Sequence, residues 1–550
     1  MKTRVKFFSL VLVSTLVIVL MAVPGTLLKA QDFEPMSYSA ESCDYGGEFL
    51  SVEALDESTV KFTLCYPDPA FPSKAAFAAL QIQSSDYLEA TGGGGDLLEK
   101  PVGTGPYMLE EWVHGESLTL KRFDDYWGTP AITETLVFRW NTEAAARLTE
   151  LQAGTIDGMD NVGPEDFTRV RETAGLALFE RPGTNVFYIG LNNRFPPLDD
   201  VHVRQALAMS IDRQRIVDQF YPPGSIVASQ FMPPSIFGFT PEVSWYDFDP
   251  EAGAALLAEA GFPDGFEIDL SYRDVVRSYL PQPGIVAQEI AAQLLENLNV
   301  TVNINVMESG EFLDAALSGQ LPFHMLGWGA DYPDATNFLD YHFGPGGPDV
   351  FGDRYSEITE PLSRAAVLSD PAERLTIYIE ANTAIKDQVP MIPVAHGGSA
   401  VAYNADVEGA HTSPLGMESF AVMNPGGRDT FVWMQNAEPI SLYCADETDG
   451  ETLRACRQIN EALLAFEVGG AGVVPSLAES YEANEESTEW TFHLREGVKF
   501  HDGSDLDAND VVMSYAVQWD ASHPLHVGRA GDFTYFSAYY NGFLNAPAAE

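Results

Sequence analysis

Residues 327–334 read GWGADYPD and contain the side chains best suited to hold a small charged ligand. Asp331 and Asp334 supply carboxylates, Trp328 supplies an aromatic wall, and the glycines leave room beside them. A carboxylate in a closed pocket can pair with an ammonium group, because an unpaired enclosed ion is costly. The alternative is a tight turn in which Asp334 caps a helix that begins at Ala335.

Apolar runs around this motif predict the elements that would position it. Residues 323–326 predict a strand that leads directly into the polar loop. Strands at residues 301–307 and 391–395 alternate with helices at residues 285–298 and 370–386. This alternation favours an α/β class, in which ligands bind beyond the carboxyl ends of strands.

Other elements are predicted from local signals. Asp249 as N-cap and Pro250 in the first turn begin one helix. A single helix is predicted over residues 203–217, where apolar residues recur every fourth position. Alternating segments at residues 49–54 and 59–64 predict a β-hairpin.

The composition is that of a large, acidic globular protein. A chain of 550 residues suggests about two to four domains. Its formal net charge of -50 at pH 7 repels nucleic acid and anionic lipid, so neither is an expected partner.

The first thirty residues predict export. Lys2, Arg4 and Lys6 precede an apolar run at residues 7–23, and small residues lead to Ala30, which is the layout of a secretory signal peptide over residues 1–30. We expect a periplasmic or extracellular protein, with an uncleaved membrane-tethering signal as the alternative.

The chain's four cysteines fit two disulfides in an oxidising compartment. Three pairings are open, and we favour Cys43 with Cys65 and Cys444 with Cys456 because each pair brackets a local unit. No histidine has metal-binding spacing with them, so no metal site and no cofactor is predicted.

Enzyme signatures are absent from the sequence. It has no GxSxG elbow, no HExxH pair and no cysteine in a catalytic setting. The acidic stretch at residues 502–510 does not fit a calcium loop, because Asp510 stands where glycine is required. It predicts instead the capped start of a helix at residues 511–517, and we expect a protein that is not an enzyme.

Several ordered blocks resemble the family 5 extracellular solute-binding proteins, the oligopeptide, dipeptide and nickel type that serve ABC importers. The blocks are GTGPYMLEEW (103–112), DDYWG (124–128), PPLDDVHVRQALAMSIDR (196–213), ALLAEAGFPDGF (255–266), GWGADYPDATNFL (327–339), PSLAESYEANEESTEWTFHLREGVKFHDG (475–503) and LDANDVVMSYAVQWD (506–520). The resemblance implies the two-lobed, type II periplasmic-binding-protein fold of the large peptide-binding class, with an extra small subdomain.

The resemblance also implies a domain layout. Residues 101–185 and 411–460 would form lobe I, and residues 186–410 would form lobe II. Residues 43–100 and 461–550 would combine into the small subdomain. In the family the stretch that resembles residues 430–520 comes first, so its position here suggests a circular permutation. The permutation predicts that residues 543–547 lie near residues 46–49, and fused fragments of two genes are the alternative.

The family resemblance implies a role for each site residue. Asp331 would pair with the amino terminus of a peptide, Trp328 would wall the pocket and Tyr188 would line it. The loop Thr448, Asp449 and Gly450 would lie along the ligand, although Asp449 also fits an exposed helix N-cap.

The ligand and partners follow from the same resemblance. We expect a monomer that delivers a small solute, an oligopeptide, to an ABC permease. Peptides longer than dipeptides are favoured, because residues 308–311 read ESGE where dipeptide binders place an arginine. The alternatives are an oligosaccharide, an amine or a nickel complex as ligand, or a secreted hydrolase.

Overall fold

The computed structural model describes residues 33–546, except residues 276, 346 and 369. The predicted signal peptide at residues 1–30 lies outside the described residues. Among the described residues, no helix is both long and apolar enough to span a bilayer. The described part of the chain from Pro35 onward forms one unit built on three large sheets.

The strands and helices follow the chain in this order. The strands are β1 (Ser37–Ser39), β2 (Phe49–Asp56), β3 (Thr59–Leu64), β4 (Tyr107–Val113), β5 (Ser117–Arg122), β6 (Thr135–Trp140), β7 (Gly158–Met159), β8 (Leu176–Arg181), β9 (Asn185–Leu191), β10 (Ile226–Val227), β11 (Glu267–Arg273), β12 (Thr301–Met307), β13 (Phe323–Gly329), β14 (Met391–His396), β15 (Ser399–Asn404), β16 (Val407–Glu408), β17 (Asn424–Pro425), β18 (Thr430–Gln435), β19 (Leu464–Phe466), β20 (Val473–Pro475), β21 (Ala478–Ala483) and β22 (Glu489–Leu494). The α-helices are α1 (Phe71–Ala75), α2 (Ser85–Thr91), α3 (Asp96–Glu99), α4 (Ala144–Gln152), α5 (Phe167–Glu172), α6 (Val201–Met209), α7 (Arg213–Phe220), α8 (Pro250–Glu259), α9 (Pro283–Leu298), α10 (Ser309–Leu317), α11 (Leu339–Phe343), α12 (Ser356–Ala365), α13 (Pro371–Gln388), α14 (Gly450–Ile459), α15 (Ala508–Trp519) and α16 (Thr534–Tyr539).

A six-stranded sheet in the order β10-β14-β9-β13-β11-β12 carries the GWGADYPD motif. Strand β13 runs antiparallel to β9, so that Trp328 lies opposite Val186, and it runs parallel to β11. Apolar residues of α6, α9 and α13 join those of the sheet in one buried cluster. The α/β alternation predicted for this region is confirmed.

The single helix predicted over residues 203–217 is wrong, because the chain breaks between α6 and α7. Asp212 begins a separate helix, because its carboxylate accepts a hydrogen bond from the backbone N–H of Arg215 at 3.0 Å and caps α7. Val203 and Leu207 are nevertheless buried together on α6, as the spacing predicts. Periodicity identified the buried face but not the local cap.

A seven-stranded sheet in the order β4-β5-β6-β18-β7-β15-β8 combines distant parts of the chain. Strand β18 runs parallel to both of its neighbours, with Trp433 opposite Phe138 on β6 and Gly158 on β7. Residues 430–435 therefore fill the centre of a sheet whose other strands come from residues 107–181 and 399–404.

A five-stranded sheet in the order β1-β2-β3-β22-β21 is assembled from both ends of the described chain. Strands β2 and β3 form the predicted hairpin, and β3 pairs with β22 so that Phe62 lies opposite Trp490. Helix α15 begins at Ala508 with a capping box between Asp507 and Asp510, which agrees with the capped helix start predicted there.

Two disulfides join the pairs that the sequence favours. Cys43 and Cys65 are bonded with their Cα atoms 5.5 Å apart, and Cys444 and Cys456 with theirs 6.2 Å apart. The first ties the segment before β2 to the end of β3, and the second ties the loop before α14 to that helix.

Candidate functional site

Asn337 organises the loop that follows β13. Its side-chain oxygen accepts hydrogen bonds from the indole N–H of Trp328 at 3.3 Å and from the backbone N–H of Asp331 at 3.0 Å. Its amide nitrogen donates to Oδ2 of Asp331 at 3.0 Å. One buried amide therefore fixes both side chains that the sequence singled out in this motif.

The Asp331 carboxylate is not paired with a cation from the described part of the chain. Its Oδ1 accepts no hydrogen bond from the described residues, and none of their basic side chains forms an ion pair with it. Burial raises its pKa to about 6, against the lowering effect of the Asn337 hydrogen bond. The side chain is only partly enclosed, so one carboxylate oxygen stays available to a positively charged ligand.

Asp334, the second acid of the motif, is structural. Arg374 on α13 donates to both of its oxygens, at 2.7 and 3.0 Å. The same carboxylate caps the short 3-10 helix at Ala335–Asn337 through the backbone N–H of Thr336. The capping interpretation is confirmed for Asp334, whereas Asp331 is left free for another role.

Trp328 forms a half-buried aromatic wall next to Asp331. Its indole stacks on the ring of Tyr341 at 4.5 Å between centroids and meets His342 edge-on at 5.0 Å. The pKa of Tyr341 is raised by burial and then by the charge of Asp331, which places this phenol close to the carboxylate.

Tyr188 lies deeper in the molecule than the other residues of the predicted site. It stands on β9 opposite Leu326 and is 1% exposed. Its ring packs on Phe231 and Phe351 at centroid distances of 5.4 and 5.5 Å. It belongs to the buried cluster beneath the motif.

Thr448 and Asp449 precede α14, and Gly450 is the first residue of that helix. Asp449 is the N-cap of that helix, since its Oδ1 accepts a hydrogen bond from the backbone N–H of Thr452 at 2.9 Å. Thr448 and Gly450 are exposed, but Oδ2 of Asp449 is buried and has no hydrogen-bond partner within the described part of the chain. The N-cap is confirmed, but its predicted exposure is wrong, because Asp449 is half-buried and its Oδ2 is enclosed.

The charge of Asp331 acts on two tyrosines of α16, which were not among the predicted site residues. Burial, and then the charges of Asp331 and Asp449, raises the pKa of Tyr535. The pKa of Tyr539 is raised by burial and then by Asp331, and its buried hydroxyl has no partner among the described residues. The aromatic run TYFSAYY at residues 534–540 is the only signal that could have identified them.

Asp446 holds α16 against the loop at residues 448–450. Its carboxylate accepts hydrogen bonds from five successive backbone N–H groups at residues 529–533, at 2.6–2.9 Å. The guanidinium of Arg529 adds a bidentate pair with Glu447 at 2.6 and 2.9 Å. Such a concave array of N–H groups binds an anion strongly, so Asp446 fixes the backbone that leads into α16.

The groups of the candidate site suit the binding of a ligand by charge and by apolar contact. The described residues contain no group of three or more histidine, cysteine or acidic side chains arranged to hold a metal ion. Two carboxylate oxygens without counter-charge, an indole and two phenols suit the capture of an amine-bearing organic ligand. The three large sheets with helices packed on them give the described chain a mixed α/β architecture.

The chain belongs to the bacterial extracellular solute-binding proteins of family 5. The family's profile, described as "Bacterial extracellular solute-binding proteins, family 5 Middle", matches residues 26–349 and 472–532. This is a family of carriers and not of enzymes, which confirms that expectation.

Named relatives and a solved structure agree with this assignment. The chain is 32% identical to the dipeptide-binding protein of Escherichia coli K12 over 377 residues, 67% of this chain and 70% of that protein. It is 30% identical to heme-binding protein A of Haemophilus influenzae over 384 residues, 69% of this chain and 70% of that protein. The structure of HbpA2 from Haemophilus parasuis superposes with a TM-score of 0.64 at 31% identity, covering 69% of this chain and 76% of that one. The expected periplasmic-binding-protein fold of the peptide-binding class is confirmed.

Proposed function

We propose that this protein is the extracytoplasmic solute-binding component of an ABC importer and that it captures peptides by their amino terminus. The observation that carries the proposal is the Asp331 carboxylate, which is partly buried, has a raised pKa and is not paired with a cation from the described part of the chain. A peptide ammonium would supply the missing charge. The similarity to a dipeptide-binding protein supports the same ligand class.

The proposed ligand contacts combine charge with enclosure. Asp331 binds the ammonium, Trp328 walls the first side chain and the loop Thr448, Asp449 and Gly450 runs along the peptide. Tyr188 lies under the pocket and supports the wall from the core.

The two lobes of the proposal correspond to the two larger sheets. The chain passes from the seven-stranded to the six-stranded sheet at residues 182–184 and returns at residues 397–398. The two crossings touch: a Cβ on Gly183 would lie 2.7 Å from the Gly397 carbonyl, and Asn185 hydrogen-bonds Gly397 at 2.7 and 2.8 Å. Two short adjacent crossings suit a hinge about which lobe I (101–185, 411–460) and lobe II (186–410) close. Strand β15 belongs to the seven-stranded sheet, so residues 399–404 would move from lobe II to lobe I.

A circular permutation is the proposed origin of the chain order. Two contacts support it: the Glu48 backbone N–H donates to the Tyr540 carbonyl at 2.9 Å, and Phe49 and Tyr540 have ring centroids 4.6 Å apart. Asp520 contacts both Tyr38 and Asn545, so residues near both ends of the described chain share one carboxylate. Residues 547–550 lie outside the described residues. Residues 43–100 and 461–550 would then form one small subdomain.

The ligand class is tested by calorimetric titration with peptides of two to eight residues, each also with an acetylated amino terminus. Free peptides should bind and acetylated ones should lose most of their affinity, because acetylation removes the ammonium. Equal binding of both forms would refute the amino-terminal anchor. Affinity that rises beyond two residues would support the preference for longer peptides, which rests on the sequence ESGE at residues 308–311.

Hemin, a nickel complex, a polyamine and an oligosaccharide complete the panel. Because the chain is similar to a heme-binding protein, hemin is the main alternative to a peptide as the ligand. Tight binding of hemin without competition by any free peptide would replace the peptide proposal.

A further inference from the structure

The loop after β13 contacts α16 through a pair of aromatic rings. The ring of Tyr332 meets that of Tyr539 edge-on, with the ring centroids 5.1 Å apart and the planes at 80°. Both side chains are buried, at 5% and 6% exposure. Tyr332 directly follows Asp331 in the proposed lobe II, whereas Tyr539 belongs to the proposed small subdomain. The pair therefore joins the two sides of the proposed cleft, one residue away from the carboxylate that would bind the ligand.

The loop holds Tyr332 and Asp331 together as one unit. At its start, the backbone N–H of Ala330 donates to the carbonyl of Thr184 at 2.7 Å, which ties the loop to the proposed hinge. Further on, the backbone N–H of Asp334 donates to the carbonyl of Tyr332 at 3.0 Å. Because the loop is fixed on both sides of Tyr332, a contact made by that ring also determines where Asp331 lies.

Tyr539 is supported from its own side by a buried lysine. Nζ of Lys74 on α1 donates to the carbonyl of Tyr539 at 2.8 Å, and it forms ion pairs with Asp68 at 2.7 Å and with Glu48 at 3.2 Å. Lys74 and both acids are buried. The charge of Lys74 also lowers the pKa of Tyr332, against the larger effect of burial. The backbone that carries Tyr539 is therefore fixed by a buried cluster of charges and does not depend on its ring.

The ring of Tyr539 is also fixed within the small subdomain. It packs on Phe77 and Tyr535 at centroid distances of 5.5 and 5.4 Å, so Tyr332 meets a ring that is already in place. An edge-on pair of aromatic rings shifts an equilibrium by about two- to twelvefold beyond the effect of burying their area. Since this pair joins the two sides of the cleft, the factor favours the closed form.

We propose that Tyr332 is a positioning residue, which packs on Tyr539 to hold lobe II against the small subdomain and so keeps Asp331 at the ligand. This inference rests on the proposed function, because it requires lobes that close over a peptide bound at Asp331. A bound peptide leaves only after the two rings separate. The rate of release therefore depends on Tyr332, whereas the rate of association does not.

The first test measures peptide release by stopped-flow fluorescence. The probe is the peptide of the calorimetric panel that binds the wild type most tightly, with a fluorophore at its carboxyl end. Tyr332→Ala removes the ring and should speed release about two- to twelvefold without slowing association. Tyr332→Phe keeps the ring and should restore the release rate to within twofold of the wild type.

Tyr246→Ala is the matched control for the loss of a tyrosine ring. Tyr246 packs edge-on against Trp245 at 5.8 Å between centroids, and both residues belong to lobe II. This variant removes an aromatic pair that does not join the two sides of the cleft. It should change the release rate less than twofold.

The second test needs no peptide. Spin labels at Ala292→Cys on α9 and Ala483→Cys on β21, both exposed positions, report the distance between lobe II and the small subdomain. The four cysteines of the chain form two disulfides, so the labels attach only at the new positions. In Tyr332→Ala a larger share of molecules should leave the wild-type distance, and in Tyr332→Phe the distribution should match the wild type.

An unchanged release rate in Tyr332→Ala would overturn the inference, and so would an unchanged distance distribution. Faster release with equally slower association would also overturn it, because that result indicates general damage to the site. If no peptide binds the wild type, the proposed function fails, and the distances alone decide whether Tyr332 holds the lobes together. If Tyr332→Ala does not unfold cooperatively, Tyr539→Ala removes the same contact from the other side, where Lys74 still holds the backbone.

Discussion

Replacing Asp331 by asparagine should stabilise the empty protein and abolish its tight binding of peptides. The pKa of this carboxyl is raised from its ordinary value of 3.8 to about 6, because burial disfavours the charged form. At about 1.4 kcal/mol per pH unit, the ionised side chain destabilises the folded state by about 3 kcal/mol. Asparagine keeps the shape, can still accept the hydrogen bond from Asn337 and carries no charge.

The pH dependence of this effect has a definite sign. Below pH 3.8 the carboxyl is protonated in both the folded and the unfolded state, so wild type and variant should be equally stable. Between pH 3.8 and about 6 the folded state binds more protons than the unfolded state, so wild-type stability falls as pH rises. The variant should therefore gain up to about 3 kcal/mol by pH 7, measured by urea denaturation of the ligand-free proteins.

Binding should change in the opposite direction. Removing one partner of an enclosed ion pair costs about 2–5 kcal/mol, a loss of roughly 30-fold to several thousandfold in affinity. Because the ammonium needs the ionised carboxylate, wild-type affinity should weaken about tenfold between pH 7 and pH 5, and the variant should show no such dependence. Asp269→Asn, an exposed acid on β11 of the same sheet, is the control. A variant that is less stable at pH 7 and still binds peptide would show that Asp331 is structural.

Three further outcomes can be measured on the same protein. Arg374→Ala leaves the buried Asp334 carboxylate unpaired and should lower the free energy of unfolding by about 3–5 kcal/mol; a loss below about 1 kcal/mol in urea denaturation would contradict the structural role given to this pair. Asp446→Asn places an amide among the backbone N–H groups at residues 529–533 and should cost about 2–3 kcal/mol of stability and weaken peptide binding, whereas unchanged binding would show that α16 does not depend on this contact. Replacing Cys444 and Cys456 by serine opens a loop with a sequence separation of 12 and should cost about 3 kcal/mol of stability, measured as a lower unfolding midpoint. Reductant should then shift the midpoint less than in the wild type, because only the disulfide between Cys43 and Cys65 remains.

Local patterns predicted the elements of the fold better than they predicted the site. The hairpin of β2 and β3 and the helix start at Asp249 follow from side-chain alternation and capping, which act over a few residues. The break at Asp212 was missed, because one capping side chain interrupts an otherwise continuous apolar face.

The candidate site could not be predicted in full from any single stretch of the sequence. Asp331 and Trp328 were identifiable, because both lie on one strand and its loop. Tyr535 is 204 positions away from Asp331, so the effect of that carboxylate on the Tyr535 phenol could not be predicted from local sequence. The unpaired oxygen of Asp449 could not be predicted either. An N-cap hydrogen bond uses one carboxylate oxygen, and whether the other is buried depends on the tertiary packing around it.

The contacts that hold α16 in the site do not depend on the order of the chain. Asp446 binds the backbone at residues 529–533, and Lys74 donates to the Tyr539 carbonyl at 2.8 Å while it pairs with Asp68. If the order arose by permutation, a rearranged chain with residues 430–546 placed before residues 35–429 should re-form these contacts and bind the same peptides within a fewfold. Its folding rate should differ, because the sequence separation of the pairs changes while the pairs themselves do not. A rearranged chain that lacks a cooperative unfolding transition would instead favour fused gene fragments.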